Sequence, residues 1–132
     1  MWKLLVPLGV AASAACADVT PPPVAKPRSL VTCVPPLDVR VDPLVGPRIA
    51  WSPSCGATYL EVSSPDNLET FWIVRGDTGK IAPGVTYGVA PPDYTSRFGP
   101  LPLVAGQWYS VRVGVMVDED SYALVGEGVF QR

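Results

Sequence analysis

Proline and glycine are spaced so densely along this chain that no long helix fits between them. The sequence has 16 prolines and 12 glycines among 132 residues. Proline removes a backbone donor and clashes with the preceding helical turn, and glycine in a helix interior lowers its stability. Because 48% of the residues are apolar and only 17% are charged, a buried core is still expected. The chain is therefore predicted to form one all-β domain of short strands joined by turns.

Alternating apolar and polar residues predict seven or eight strands. Residues 37–42 (LDVRVD) alternate strictly, and residues 108–117 (WYSVRVGVMV) place Tyr109 and four valines on one face. Short strands separated by turn signals are typical of an antiparallel β-sandwich, which is the predicted fold. The remaining predicted strands cover residues 48–52, 58–63, 70–75, 85–89 and 122–130, with at most a short edge strand inside 97–104.

The first 16 residues resemble a secretory signal peptide. A short positive start is followed by an uncharged apolar run from Leu4 to Ala15, which is too short to span a bilayer. One interpretation takes residues 13–16 (SAAC) as a bacterial lipobox, which makes Cys16 the lipidated N-terminus. The other takes Ala15-Cys16-Ala17 as an A-x-A cleavage site. The lipobox is preferred because the apolar run leads directly into Cys16, and both interpretations take the chain out of the cytoplasm.

Lipidation of Cys16 has a consequence for localisation. Residue 17 is alanine, and it lacks the aspartate that can retain lipoproteins at the inner membrane. The lipobox resemblance therefore implies an outer-membrane anchor, with a periplasmic or secreted protein as the alternative. The next segment, residues 17–34, is rich in proline and is predicted to be an extended tether between the signal peptide and a β-sandwich domain at residues 35–132.

The two remaining cysteines, Cys33 and Cys55, form an even pair in a chain predicted to be exported. Such a pair predicts a disulfide. Closing a loop of ~23 residues stabilises a fold by about 3.4 kcal/mol in the loop-entropy model. Since the chain contains no histidine, two cysteines cannot complete a tetrahedral metal shell, and neither a metal nor another cofactor is expected.

Residues 103–113 (LVAGQWYSVRV) resemble the L-x-x-G-x-x-Y-x-V-x-V pattern of fibronectin type III domains. That resemblance implies that Tyr109 is the corner tyrosine, whose hydroxyl bonds back to the preceding turn. It also implies that the first two strands are antiparallel neighbours, so that Cys33 and Cys55 meet at one end of their hairpin. In that family the third, fourth and penultimate strands share one sheet.

The same resemblance suggests a candidate binding face. If Tyr109 and the valines face the core, the alternate residues of that strand face outward, and either Phe71 or Trp72 must do so as well. An apolar surface patch of this kind marks a binding site for a protein or a sugar. The candidate face consists of Tyr59, Trp72, Trp108, Arg112 and Met116. Folding of the segment between the fourth and penultimate strands over these residues is the alternative.

The function predicted from these features is a non-catalytic binding or structural module of the cell envelope. Its partner would be an envelope or extracellular protein or glycan. With no block of lysine or arginine, and a formal net charge of -2, nucleic acid is not expected as a partner. The absence of histidine excludes Ser-His-Asp and Cys-His catalysis. The alternatives are a carbohydrate-binding module that uses Tyr59, Trp72 and Trp108, and a small hydrolase that uses carboxylates.

Overall fold

All the regular structure in the described part of this chain is β-strand. The structure is a computed structural model, and it describes residues 30–44, 46–76, 79–91 and 94–132. These residues contain no helix, and so none that is long and apolar enough to cross a membrane. The predicted signal peptide, Cys16 and most of the predicted tether lie outside the described residues. The described residues form eight strands, which are β1 (Leu37–Asp42), β2 (Arg48–Ser52), β3 (Tyr59–Ser63), β4 (Thr70–Gly76), β5 (Val85–Thr86), β6 (Tyr94–Phe98), β7 (Trp108–Met116) and β8 (Tyr122–Gln131).

The strands form one curled, mixed sheet in the order β5-β2-β1-β8-β7-β3-β4-β6. Every pair is antiparallel except β1 and β8, which run parallel with Leu37 opposite Gly126 and Asp38 opposite Glu127. The prediction of a wholly antiparallel arrangement is therefore wrong for this pair. Glycine in β8 permits it, because an added Cβ at Gly126 would lie 2.7 Å from the Cβ of Leu37.

The curl of the sheet brings its two ends together. The ring of Tyr87, which follows β5 at one end of the strand order, meets the ring of Trp72 on β4 with centroids 5.3 Å apart. The Tyr87 hydroxyl donates a hydrogen bond to the carbonyl of Leu101 at 2.6 Å. The sheet is thus a half-barrel that encloses its own core.

A single apolar cluster fills the half-barrel and draws on both halves of the sheet. The alternation of β1 and β2 buries Leu37, Val39, Ile49 and Trp51. These residues belong to the same cluster as the inward-facing side chains of the other strands, which include Leu60, Val62, Trp72, Val74, Val111, Val113 and Phe130. Val111 and Val113 are fully buried, so the face of β7 chosen by its valines is the core face.

The Cys33–Cys55 disulfide is present, with Cα atoms 4.9 Å apart. Both cysteines are buried. Cys55 follows β2 and Cys33 precedes β1, so the bridge closes the open end of the β1–β2 hairpin. The indole N–H of Trp51 donates to the Cys55 carbonyl at 3.0 Å, which ties the bridge to the core. The disulfide predicted from the even cysteine pair is confirmed.

Candidate functional site on the outer face of β3, β7 and β8

The outer face of this sheet is the set of side chains that β3, β7 and β8 direct away from the core. On β7, Tyr109 is 1% exposed and points inward, while its neighbour Trp108 is 54% exposed and points outward. Both positions follow from alternation along an extended strand. The outer face comprises Tyr59, Glu61, Ser63, Trp108, Ser110, Arg112, Met116, Tyr122, Leu124, Glu127, Val129 and Gln131.

A row of three charges crosses the middle of this face. Glu61 on β3, Arg112 on β7 and Glu127 on β8 are direct cross-strand partners. The Arg112 Nε lies 3.8 Å from Glu127 Oε1, which also accepts a hydrogen bond from Ser110 Oγ at 3.0 Å. Burial disfavours the charged form of Arg112, but the Tyr122 hydroxyl and the carboxylates of Glu127 and Glu61 outweigh it and raise its pKa. Arg112 is thus held as a cation between two carboxylates.

Two stacked tyrosines lie beside the charged row. The rings of Tyr59 and Tyr122 are 3.9 Å apart and 15° from parallel. The Tyr59 hydroxyl donates to Glu61 Oε2 at 2.8 Å, and the Tyr122 hydroxyl approaches the same oxygen at 3.5 Å. Burial and this contact with Glu61 raise the pKa of Tyr59. The stack therefore covers one end of the face and shields Tyr59 from solvent.

Gly114 makes the stack possible. It is the cross-strand partner of Tyr59, and the Tyr122 ring lies over it. A Cβ added at Gly114 would come 2.5 Å from Tyr122 Cδ2. The absence of a side chain at this position lets a ring from β8 reach across β7 to a ring on β3.

Exposed apolar side chains occupy the β7–β8 part of the face. Trp108 is paired with Gln131, and Val129 is paired with Ser110, so Trp108 and Val129 are diagonal neighbours. Val129 is 62% exposed and Leu124 is 45% exposed. These three residues, called here the apolar strip, lie on strands in the interior of the sheet rather than on its edges. The charged row runs between Leu124 and the other two.

The structure brings together only part of the face predicted from the sequence. Trp108 is exposed on the outer face, as alternation predicts. Arg112 and Met116 are half-buried on the same strand, and Tyr59 shares the face but is covered by Tyr122. The strip members Leu124 and Val129 were not predicted. Alternation places Val129 opposite Phe130, but Leu124 has the parity of Phe130 and reaches the outer face because the β7–β8 pairing shifts register between Val113 and Gly114.

Trp72 does not belong to an exposed face. It is fully buried, and its indole N–H donates to Ser96 Oγ at 3.1 Å. The prediction that either Phe71 or Trp72 must point outward is also wrong, because Phe71 packs edge-on against the buried ring of Tyr109 with centroids 5.0 Å apart. A register shift in the β3–β4 pairing at Val62 leaves Phe71 unpaired, so strict alternation does not apply there.

The described residues show neither a continuous aromatic platform for a sugar nor an aspartate or glutamate lining the depression at Tyr87. Of the three aromatic residues assigned to a sugar-binding row, only Trp108 is exposed, so they do not form a continuous platform. That depression, of about 240 Å³, lies elsewhere, and its lining includes Gly46, Pro47, Tyr87, Leu103 and Arg132 but no aspartate or glutamate among the described residues. Within the described part of the chain, no three potential ligands are grouped to hold a metal ion.

Comparisons with protein-family models, curated proteins and solved structures found no match to this chain.

Proposed function

We propose that this chain is an exported, lipid-anchored binding module of fibronectin type III-like or immunoglobulin-like fold, without catalytic activity. Lipid on Cys16 and the proline-rich segment after it would hold the domain at the outer membrane. The apolar strip of Trp108, Leu124 and Val129, together with the charged row, would bind a protein of the cell envelope or its surroundings.

Three structural relationships support the fold assignment. The first two strands are antiparallel neighbours, and β3, β4 and β7 lie side by side in the same part of the sheet. Both arrangements are those implied by the fibronectin type III resemblance. The Tyr109 hydroxyl oxygen accepts a hydrogen bond from the Val104 N–H at 2.7 Å, as a corner tyrosine does. In this assignment, the parallel β1–β8 pair joins the two layers of the sandwich along one side.

The observation that carries the binding proposal is the exposure of Trp108 next to Val129 in the interior of a sheet face. Large apolar side chains grouped on a surface are typical of interaction sites, and tryptophan and arginine are enriched where binding energy is concentrated. A protein partner fits better than a glycan because the strip combines aliphatic residues with one aromatic ring, and because Arg112 and Glu127 provide charges of both signs beside it.

The binding proposal is tested with the exported chain immobilised and exposed to envelope extracts from its host. A protein retained by the wild type is identified by crosslinking and mass spectrometry, and its affinity is then measured for single variants. Trp108→Ala and Val129→Ser are each expected to weaken binding by about tenfold or more. The matched control is Val34→Ala, since Val34 is similarly exposed but precedes β1. Equal losses in all three variants, or retention of glycans alone, would overturn the proposal.

The anchoring proposal is tested by the intact mass of the protein recovered from bacterial membranes. A chain that begins at Cys16 and carries acyl groups is expected, and Cys16→Ser should release the protein from the membrane fraction. A soluble chain that begins at Asp18 without added mass would show that the A-x-A interpretation is correct.

A further inference from the structure

The first described residues lie against the loop that follows β2. The Cys33 N–H donates to the Gly56 carbonyl at 3.0 Å, and the Gly56 N–H donates to the Val31 carbonyl at 2.7 Å. Lys80 lies over Gly56, and its Nζ donates to the Leu30 carbonyl at 2.9 Å. This last hydrogen bond is exposed to solvent. Residues 30–33, called here the root segment, are thus fastened by a few hydrogen bonds and by the disulfide.

The disulfide encloses β1 and β2 in a covalent loop. Cys33 and Cys55 are 22 positions apart, and both strands lie between them. A pull on the chain ahead of Leu30 therefore has two routes into the domain. One follows the backbone through β1, and the other passes directly from Cys33 to Cys55. The second route is much shorter, because the two Cα atoms are only 4.9 Å apart.

Beyond Cys55 the chain is fastened on both sides. The Ala57 and Ile81 backbones exchange two hydrogen bonds, of 3.0 and 2.6 Å, and the Thr58 N–H donates to the Gly114 carbonyl at 3.0 Å. The chain then enters β3, which is paired along its length with both β4 and β7. Leu60 and Val62 of β3 are fully buried. The bridge thus connects the lightly held root segment to an interior strand of the sheet.

We infer that the Cys33–Cys55 disulfide passes tension from the membrane tether directly into β3, so that β1 and β2 carry none of it and the root hydrogen bonds do not set the force at which the domain unfolds. This inference rests on the tether of the proposed function. A module anchored at one end and bound to a partner on its β7–β8 face is pulled between those points. Since β3 is paired with β7, the force runs through neighbouring interior strands. Without the bridge, the same pull would separate the root segment from Gly56 and then strip β1 from β2 and β8.

Single-molecule pulling between the N-terminus and Arg132 of the exported chain tests this route. In the oxidised wild type, residues 34–54 should not contribute to the contour length gained on unfolding, because the bridge bypasses them. The Cys33→Ser, Cys55→Ser variant should open in an earlier step at lower force and gain about 70 Å of additional contour length in total, from 22 residue steps of roughly 3.3–3.6 Å less the span of the bridge. A single step at the wild-type force in that variant would overturn the inference.

Two further variants test the same route with the disulfide in place, where the fold is retained. Lys80→Ala removes one root hydrogen bond, and it should leave the unfolding force of the oxidised protein unchanged while lowering the first step of the double-serine variant. The second variant carries a protease site at the exposed Leu44, between β1 and β2, and is cut after folding. The cut chain should withstand the same force, because its only covalent route is the bridge.

A lower unfolding force in the cut chain, or in oxidised Lys80→Ala, would show that β1 or the root hydrogen bonds set the unfolding force, and would overturn the inference. These measurements use the purified chain and do not depend on lipid at Cys16 or on a partner. Failure of the anchoring or binding proposals would therefore be seen separately, in the mass and affinity experiments.

Discussion

The hydroxyl oxygen of Tyr109 accepts a hydrogen bond of 2.7 Å from the backbone N–H of Val104. This contact ties the start of β7 to the loop that leads into it. The Tyr109 ring is buried and stacks on Phe130 with centroids 5.5 Å apart, so the side chain joins the loop, β7 and β8 around one ring. Alternation predicted the inward direction of the ring, and the fibronectin type III resemblance implied the bond to the turn at residues 103–106; both are confirmed.

Removing the hydroxyl of Tyr109 should destabilise the domain modestly. Tyr109→Phe keeps the ring contacts and leaves the Val104 N–H without its acceptor, which should cost about 1 kcal/mol. Tyr109→Ala also empties the ring site and should cost about 3 to 5 kcal/mol. Denaturant melts of the three proteins measure both differences. An unchanged melting midpoint for Tyr109→Phe would show that the bond contributes nothing net.

Truncating the adjacent Trp108 should have a much smaller effect on stability. More than half of its side-chain surface is already in solvent, so Trp108→Ala should change the free energy of unfolding by less than about 1 kcal/mol. The same melts provide the comparison with Tyr109→Ala. If Trp108→Ala proved the more damaging substitution, the assignment of the two faces of β7 would be wrong by one residue, and the apolar strip with it.

A methyl group at Gly114 should disrupt the tyrosine stack. The added Cβ would lie 2.5 Å from Tyr122 Cδ2 and 3.1 Å from the Ala123 carbonyl, so the ring must move off Tyr59. Gly114→Ala should therefore destabilise the domain by about 1 to 3 kcal/mol. Gly79→Ala is the matched control, because among the described residues its added Cβ would meet only the Tyr94 hydroxyl, at 3.9 Å. Thermal melts compare the two, and near-ultraviolet circular dichroism reports the loss of stacking. Equal stability of both variants would contradict the crowding.

Stability should fall in alkaline solution as the buried tyrosines ionise. Burial is the main reason that the pKa of Tyr87 rises from 10.0 to about 12. The unfolded chain therefore loses this proton at lower pH than the folded chain does. The stability linked to it is complete below pH 10 and is lost as the pH rises towards about 12. Burial also raises the pKa of Tyr59, in the same direction.

Denaturant melts between pH 9 and 12, with tyrosinate absorbance recorded in parallel, measure this effect. Tyr87→Phe should reduce the slope of stability against pH in that interval. Ionisation of every tyrosine at the pKa of the free side chain, while the domain stays folded, would contradict the burial of Tyr87 and Tyr59.

Most strands are predictable because the information that specifies them is local. The predicted bounds of β1 and β2 agree with the structure to the residue, since Asp42-Pro43 ends the alternation of β1 and Gly46-Pro47 precedes that of β2. β6 is different. A short strand was expected within residues 97–104, but it lies at Tyr94–Phe98, where pairing with β4 places it. The segment 94–98 has no clear alternation, so only its partner strand determines its position.

The sequence by itself determined the all-β character, the bounds of β1 and β2, the disulfide and the opposite directions of Trp108 and Tyr109. Each depends on residues close together in the chain or on a count of cysteines. Only the tertiary structure decided the parallel β1–β8 pair, the burial of Trp72 and the stack of Tyr59 on Tyr122. The first two depend on which strands pair, and the stack depends on a glycine opposite a ring. Such relationships join residues far apart in sequence, and alternation within one strand carries no information about them.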